Sequence, residues 1–264
     1  MTEGDAKGRK AAEAGAEIGG GAILGALGTN VADPAVGAIL GAVGAALPRL
    51  VPVMRDYASR ALSSREKIRV DCVAGVALHE IRRRLDTGEL PRGDGFFDLG
   101  ERDRSAAEEL LDGVMRKARD EHEEAKITYM GWFLASILFS ESVSRWEANR
   151  LLRLLERLSY RQLCILGALA RKPDNLRTAP LQKRPGSSEL DSLLQECFEL
   201  ETPLGLIAQE DHGSNRAWIP RSWVDVVPSK LRLTPQGEKL HELAGLAFVA
   251  EPDVRAVIGE LAEA

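Results

Sequence analysis

An octet that occurs twice constrains this chain more than any other feature: GAILGALG at Gly21–Gly28 and GAILGAVG at Gly37–Gly44. Each copy carries a Gly-x-x-x-Gly pair, Gly21/Gly25 and Gly37/Gly41. Residues four apart share one helix face, and glycine there lets two backbones approach closely. Between the copies, Thr29-Asn30-Val31-Ala32-Asp33-Pro34 combines turn-tolerant residues with a proline suited to a first helical turn. The segment therefore predicts a helical hairpin with legs Gly15–Gly28 and Pro34–Val53. Glycine costs a helix about 1 kcal/mol per residue relative to alanine, so lipid or a partner helix must reward the fold.

A spanning helix needs about 20 apolar residues. The first leg is shorter and holds Glu17, while the second holds Pro48 and Arg49. Basic residues nevertheless flank the hairpin on both outer sides (Lys7, Arg9, Lys10; then Arg49, Arg55, Arg60), and the turn has none. That is the charge distribution of a hairpin entering a bilayer from the cytoplasmic face. Packing of the pair on the protein's own helices, or an unpacked Gly/Ala leader, are the other readings. A secretory signal is disfavoured because no small-residue cleavage pattern closes the apolar run, which repeats instead of stopping.

The remaining sequence reads as helices ending in a small mixed module, so the expected fold is mainly α with a small antiparallel β-wing. The expected segments are a flexible tail (1–13), the glycine hairpin (14–56), a charged helical domain (57–158), a C-terminal module (159–250) and a final helix (251–264). In the helical domain, Ser63 and Glu66 have capping-box spacing, and Ile68, Val70, Val73, Val76, Ala77, Ile81 and Leu85 form an apolar stripe. Thr87–Pro91 stops that helix, Arg92–Gly100 is loop, and Phe96 and Phe97 are expected to dock. A helix from Ser105 leads into an acidic patch, Asp120, Glu121, Glu123 and Glu124 with His122, and then into the apolar run Ile127–Phe139. Three consecutive helical residues point apart, so the patch reads as solvated charge with a Glu123–Lys126 pair and not as a metal site. Trp146–Leu158 is amphipathic and turns its leucines to the core.

In the last third, Ser159 caps a helix over Tyr160–Arg171, a second covers Ser188–Leu200, and strands fall at Leu204–Ala208, Ala217–Ile219 and Lys230–Leu233. Thr234 and Pro235 open another helix. The runs LSYRQLCIL at Leu158–Leu166, GLI at Gly205–Ile207 and LTPQG at Leu233–Gly237 resemble a winged helix. That resemblance implies a DNA-binding second helix. Here, however, the second helix carries Glu189, Asp191, Glu196 and Glu199 and no Lys or Arg, which phosphate would repel. A wing reused as a protein-interaction surface fits better, with Arg216, Trp218, Arg221, Trp223, Lys230 and Arg232 as its contact residues. The order of parts, with Gly15–Val53, Arg65–Leu85 and Leu158–Leu166 as matching stretches, resembles the bacterial abortive-infection alpha family of phage-resistance proteins. No functional residue carries over from it.

Net charge of −5 argues against general polyanion binding. The three separated cysteines, Cys72, Cys164 and Cys197, suit reduced thiols, with Cys72 and Cys164 in apolar runs. His79, His122, His212 and His241 are scattered, with no nucleophile, phosphate-loop, metal or cofactor spacing beside them. The expected protein is therefore non-enzymatic, takes a protein partner or self-associates, and lies at the cytoplasmic face of the inner membrane, with phage defence as one use. The alternative is a soluble, cytoplasmic winged-helix regulator or adaptor that contacts DNA in a salt-sensitive way through Arg216, Arg221, Lys230 and Arg232.

Overall fold

The computed structural model describes residues 47, 49–100, 103–180, 188–210 and 222–263. They are mainly helical, with nine α-helices among them and one two-stranded antiparallel sheet near the C-terminus. The chain divides into two compact units between Arg157 and Leu158. The doubled octet, and with it Gly21, Gly25, Gly37 and Gly41, lies outside the described residues.

The first unit contains α1 (Leu50–Ser59), α2 (Ser64–Asp86), α3 (Ala106–Asp120), α4 (Ile127–Ile137) and α5 (Arg145–Arg157). Local chemistry sets the starts of α2 and α3. Ser63 accepts from the Glu66 amide while the Glu66 carboxylate accepts from the Ser63 amide, and Ser105 and Glu108 repeat the arrangement. The apolar run becomes α4, which is buried on almost every side and packs closely along α2. Gly131 permits that approach: a Cβ there would lie 2.7 Å from Val76 Cβ and 2.9 Å from the Val73 carbonyl oxygen. The leucines of α5 face inward as expected, with Leu152 over Gly113 of α3. Leu50, Val51, Met54 and Tyr57 of α1 also belong to this core. Tyr57 donates to Asp112 Oδ1 at 2.7 Å, fixing α1 to α3. The end of the expected second hairpin leg is thus the first turn of α1.

The stripe on α2 differs from expectation at its ends. Ile68 is exposed and Leu85 half-buried, because α2 turns Val70, Val73, Ala74, Val76, Ala77, Leu78 and Ile81 inward between them. Two carboxylates join that buried set, Asp71 and Glu80, and Glu80 is held by Arg83 and Arg84. Phe96 docks under the Arg92 guanidinium at 4.0 Å, while Phe97 stays half-buried, edge-on to it. Among the described residues no helix is long and apolar enough to cross a membrane.

The second unit contains α6 (Tyr160–Ala170), α7 (Ser188–Glu201), β1 (Ile207–Gln209), β2 (Leu231–Leu233), α8 (Pro235–Leu243) and α9 (Glu251–Glu263). Ser159 and Gln162 form a capping box at α6. The strands pair antiparallel, Ile207 with Leu233 and Gln209 with Leu231. At φ +62° Gly205 makes the left-handed turn that brings the chain from α7 into β1. Thr234 caps α8 through the Gly237 amide and donates its hydroxyl hydrogen to the Gly205 carbonyl at 2.7 Å, so one residue ties helix start to strand start. α9 packs on α6 and α7 through Val254, Val257 and Leu261. The strand expected at Ala217–Ile219 lies outside the described residues.

Candidate functional site

Of the six expected contact residues, Arg216, Trp218 and Arg221 lie outside the described residues. Trp223, Lys230 and Arg232 lie within them, at the base of the two-stranded sheet. Trp223 begins a 3-10 turn, Trp223–Asp225, that packs on α7, and it is half-buried. Lys230 ends a second such turn, Pro228–Lys230, and its carbonyl accepts from the Glu210 amide at 2.9 Å. Arg232 spends its guanidinium locally: Nη1 donates to the carbonyls of Leu231 at 2.7 Å and Ser229 at 3.0 Å, and Nε lies 3.5 Å from Glu210.

A buried amide holds this base together. Gln209 donates through its side chain to Glu201 at 3.2 Å and accepts from the Val227 amide at 2.7 Å. Its own backbone amide donates to the other Glu201 oxygen at 3.0 Å. Burial pushes the Glu201 carboxyl up, and the Gln209 donors pull it back only in part. The end of α7, β1 and the segment before β2 are thereby one polar knot.

The acidic face of α7 is partly turned inward. Glu199 accepts from Gln162 at 3.2 Å and Glu196 from Ser159 at 3.5 Å, both on the α6 side. The outer edge consists of Ser188, Glu189, Ser192 and Gln195. Arg161 of α6 reaches this edge, donating to Ser192 Oγ at 3.4 Å and to the Glu189 carbonyl at 3.3 Å.

Sequence reasoning misplaced a second cluster, in the first unit. α3 ends at Asp120, so Glu121, His122 and Glu123 are not spread around a helix; one oxygen or nitrogen from each lies within 4.8 Å of the others. Nor are the charges all solvated. Glu121 and Lys126 are both buried and paired at 2.5 Å, which replaces the expected Glu123–Lys126 pair. Lys126 also donates to the Glu156 carbonyl at 2.9 Å, in the last turn of α5. The Lys126 ammonium thus reaches the Glu121 carboxylate and that carbonyl together. Burial pushes the Glu121 carboxyl up, but Lys126 and the amides of Glu123 and His122 outweigh it and hold the group below its ordinary range. With that charge already met, His122 projects into solvent.

Comparison of the chain with protein-family models, curated proteins and solved structures gives no match. The site must be judged on its own chemistry.

His79 is exposed and His241 half-buried, with Nε2 enclosed and without a hydrogen-bond partner; burial pulls its pKa down. His212 is outside the described residues. The cysteines are free thiols: Cys164 and Cys197 are buried, Cys72 is half-buried, and burial pushes Cys164 up to about 11. A thiol held that high stays protonated and unreactive at neutral pH. One cation that sequence reasoning passed over, Arg177, lies beside Ser229 and Lys230: its carbonyl accepts from the Ser229 amide at 2.9 Å. Nothing local to its sequence marks it.

Proposed function

We propose that this chain is a non-enzymatic bacterial protein in which the doubled-octet hairpin associates with the inner membrane from the cytoplasmic side. In the same reading a winged module engages a protein partner, and phage defence is the use that the abortive-infection resemblance implies. The observation that carries the reading is the burial of Leu47, Leu50 and Met54 beside the hairpin's end. With those residues committed to the core, the expected second leg Pro34–Val53 shortens to at most Pro34–Ala46, thirteen residues beside the fourteen of Gly15–Gly28. A helix of that length rises about 21 Å at about 1.5 Å per residue, short of the roughly 30 Å of hydrocarbon. Matched short legs closed by glycine suit a hairpin that dips into one leaflet or assembles with copies, and suit a spanning pair poorly.

For the C-terminal module, the order α6, α7, β1, β2, α8 supports a winged arrangement, and the carboxylates of α7 favour a protein partner over DNA. A second reading, a soluble winged-helix regulator or adaptor, draws its support from Lys230 and Arg232 at the sheet base.

The test is cell fractionation followed by leakage of dye-loaded anionic vesicles, with the full chain and a variant lacking residues 1–46. Membrane recovery and leakage that require residues 1–46 support the reading. Full-length protein wholly in the soluble fraction, with no leakage in any oligomeric state, overturns it.

A further inference from the structure

Several surface arginines of the described helices are answered by a carboxylate one turn away on the same helix: Arg60 by Asp56, Arg82 by Asp86, Arg116 by Asp112 and Arg255 by Glu251. The outer face of α5 is different. Trp146, Arg150, Arg153 and Arg157 are all exposed and recur at steps of four, three and four residues, so they share one side of the helix. Opposite them Ala148, Leu151, Leu152 and Leu155 are buried. Arg145 pairs with Glu109 and Glu156 with Lys117, which fixes the flank of α5 that meets α3. Core and flank together set the rotation of the helix, and the stripe points outward.

The stripe contains no carboxylate. Arg153 and Arg157 have none within ion-pair distance among the described residues, and the acids on the α3 flank are engaged with Arg145 and Lys117. Trp146, at the head of the stripe, is 79% exposed. The Arg145 guanidinium stands 5.8 Å from its ring, near the limit of a cation–π contact, and leaves most of the indole in water.

Three arginines and an indole on one uninterrupted face call for a partner that is negative and apolar at once. The headgroup region of an anionic bilayer is both. Its phosphates accept from guanidinium groups, its interface is where tryptophan is enriched, and arginine stems lie along apolar surface with their heads in water. The stripe rises about 16 Å along a convex helix face, a shape that meets a plane without a groove. A nucleic-acid strand would also attract the cations, but a net charge of −5 opposes a long polyanion that wraps the protein. A bilayer meets only the face turned to it, and salt screens the rest beyond about 8 Å. α5 and α1 both pack on α3, so the stripe belongs to the compact unit into which the expected hairpin leg runs.

We propose that the α5 face formed by Trp146, Arg150, Arg153 and Arg157 docks reversibly on the surface of an anionic bilayer. The proposal rests on the membrane reading above for its partner but requires no inserted hairpin.

The test floats the full chain with vesicles of phosphatidylcholine alone, or with about 30% phosphatidylglycerol, at about 50 and about 500 mM salt. Binding to the anionic vesicles is expected, reversed at the higher salt and accompanied by a blue shift of tryptophan emission. Arg153→Gln with Arg157→Gln should raise the lipid concentration for half-binding about 30-fold, roughly fivefold for each cation removed from an anionic surface. Arg82→Gln with Arg255→Gln changes net charge equally on other helices and should stay within about twofold of the parent. Trp146→Phe should remove most of the blue shift and keep the salt dependence. No binding to anionic vesicles, equal binding to neutral ones, binding undiminished in the double α5 variant or a blue shift that survives Trp146→Phe would each overturn the proposal. So would a single-stranded oligonucleotide that binds more tightly than the anionic vesicles through the same arginines. Leakage keeps the two membrane readings apart. Salt-reversible binding without leakage supports this face and counts against the hairpin, whereas leakage from neutral and anionic vesicles alike, unchanged by the double variant, supports the hairpin and overturns this face.

Discussion

Replacing Asp71 with asparagine is expected to stabilise the first unit at neutral pH and to do so less and less as the pH falls. Asp71 sits on α2 at 1% exposure, and its Oδ2 is enclosed without a hydrogen-bond partner. Burial pushes its carboxyl up from 3.8 to about 6, and Lys67 pulls it back only in part. A folded-state pKa above the unfolded one means that the folded protein disfavours the anion. The penalty is absent below about pH 4, grows through the interval between the two values, and is complete above about pH 6. A rise of about two units, at about 1.4 kcal/mol each, sets its full size near 3 kcal/mol. Asparagine keeps the shape and removes the charge, but its amide hydrogens also need acceptors, so a gain of about 1–2 kcal/mol at pH 7.5 is the expected net. Urea unfolding of parent and variant at pH 4.5, 5.5, 6.5 and 7.5, followed by circular dichroism, measures the difference directly. The gap should widen with pH. A gap that is constant across the series, or that favours the parent at pH 7.5, would refute the reasoning.

The buried Glu121–Lys126 pair and Gly237 in the first turn of α8 give two further expectations. Lys126→Met alone leaves Glu121 charged and enclosed and should destabilise the first unit by about 3–5 kcal/mol in denaturant unfolding, whereas Lys126→Met with Glu121→Gln should recover most of that loss. Because Glu121 is held below its ordinary range, the parent's advantage over the double variant is present above about pH 4.5 and is lost as the pH falls through the lowered folded value. Gly237→Ala places a Cβ onto the Leu206 carbonyl oxygen, main-chain atoms that cannot swing aside. It should cost about 1–3 kcal/mol or more and expose the β1–α8 connection to limited proteolysis, while Gly259→Ala, which meets open space, should not.

Where structure is decided within a few residues, the sequence was readable. Ser63 with Glu66, Ser105 with Glu108, Ser159 with Gln162 and Thr234 with Pro235 each place a helix start through groups three residues apart or closer. The unbroken apolar run likewise announces α4, since a helix without a polar face must lie inside. Positions set from elsewhere in the fold were not readable. The acidic stretch continues a helical pattern in sequence, yet α3 stops at Asp120, and beyond it Lys126 reaches both Glu121 and the carbonyl of Glu156, a group on another helix. Arg177 is more remote still, placed by main-chain bonds to Ser229 and Leu261. Of the expected contact residues, Arg232 is occupied by carbonyls of its own turn, and composition says nothing of that.

The charges inside this protein also bear on what its surfaces do. A carboxylate or guanidinium enclosed with its partner, such as Glu80 or Arg92, is explained by the fold it helps to specify. One enclosed without a partner lowers stability, and selection that keeps it must act on something other than folding. Among the described residues Asp71 is in this condition, with its Oδ2 enclosed and without a hydrogen-bond partner. Asp71 can shed its charge by taking a proton near pH 6, so its energetic cost is adjustable and the proton itself is a sufficient ligand.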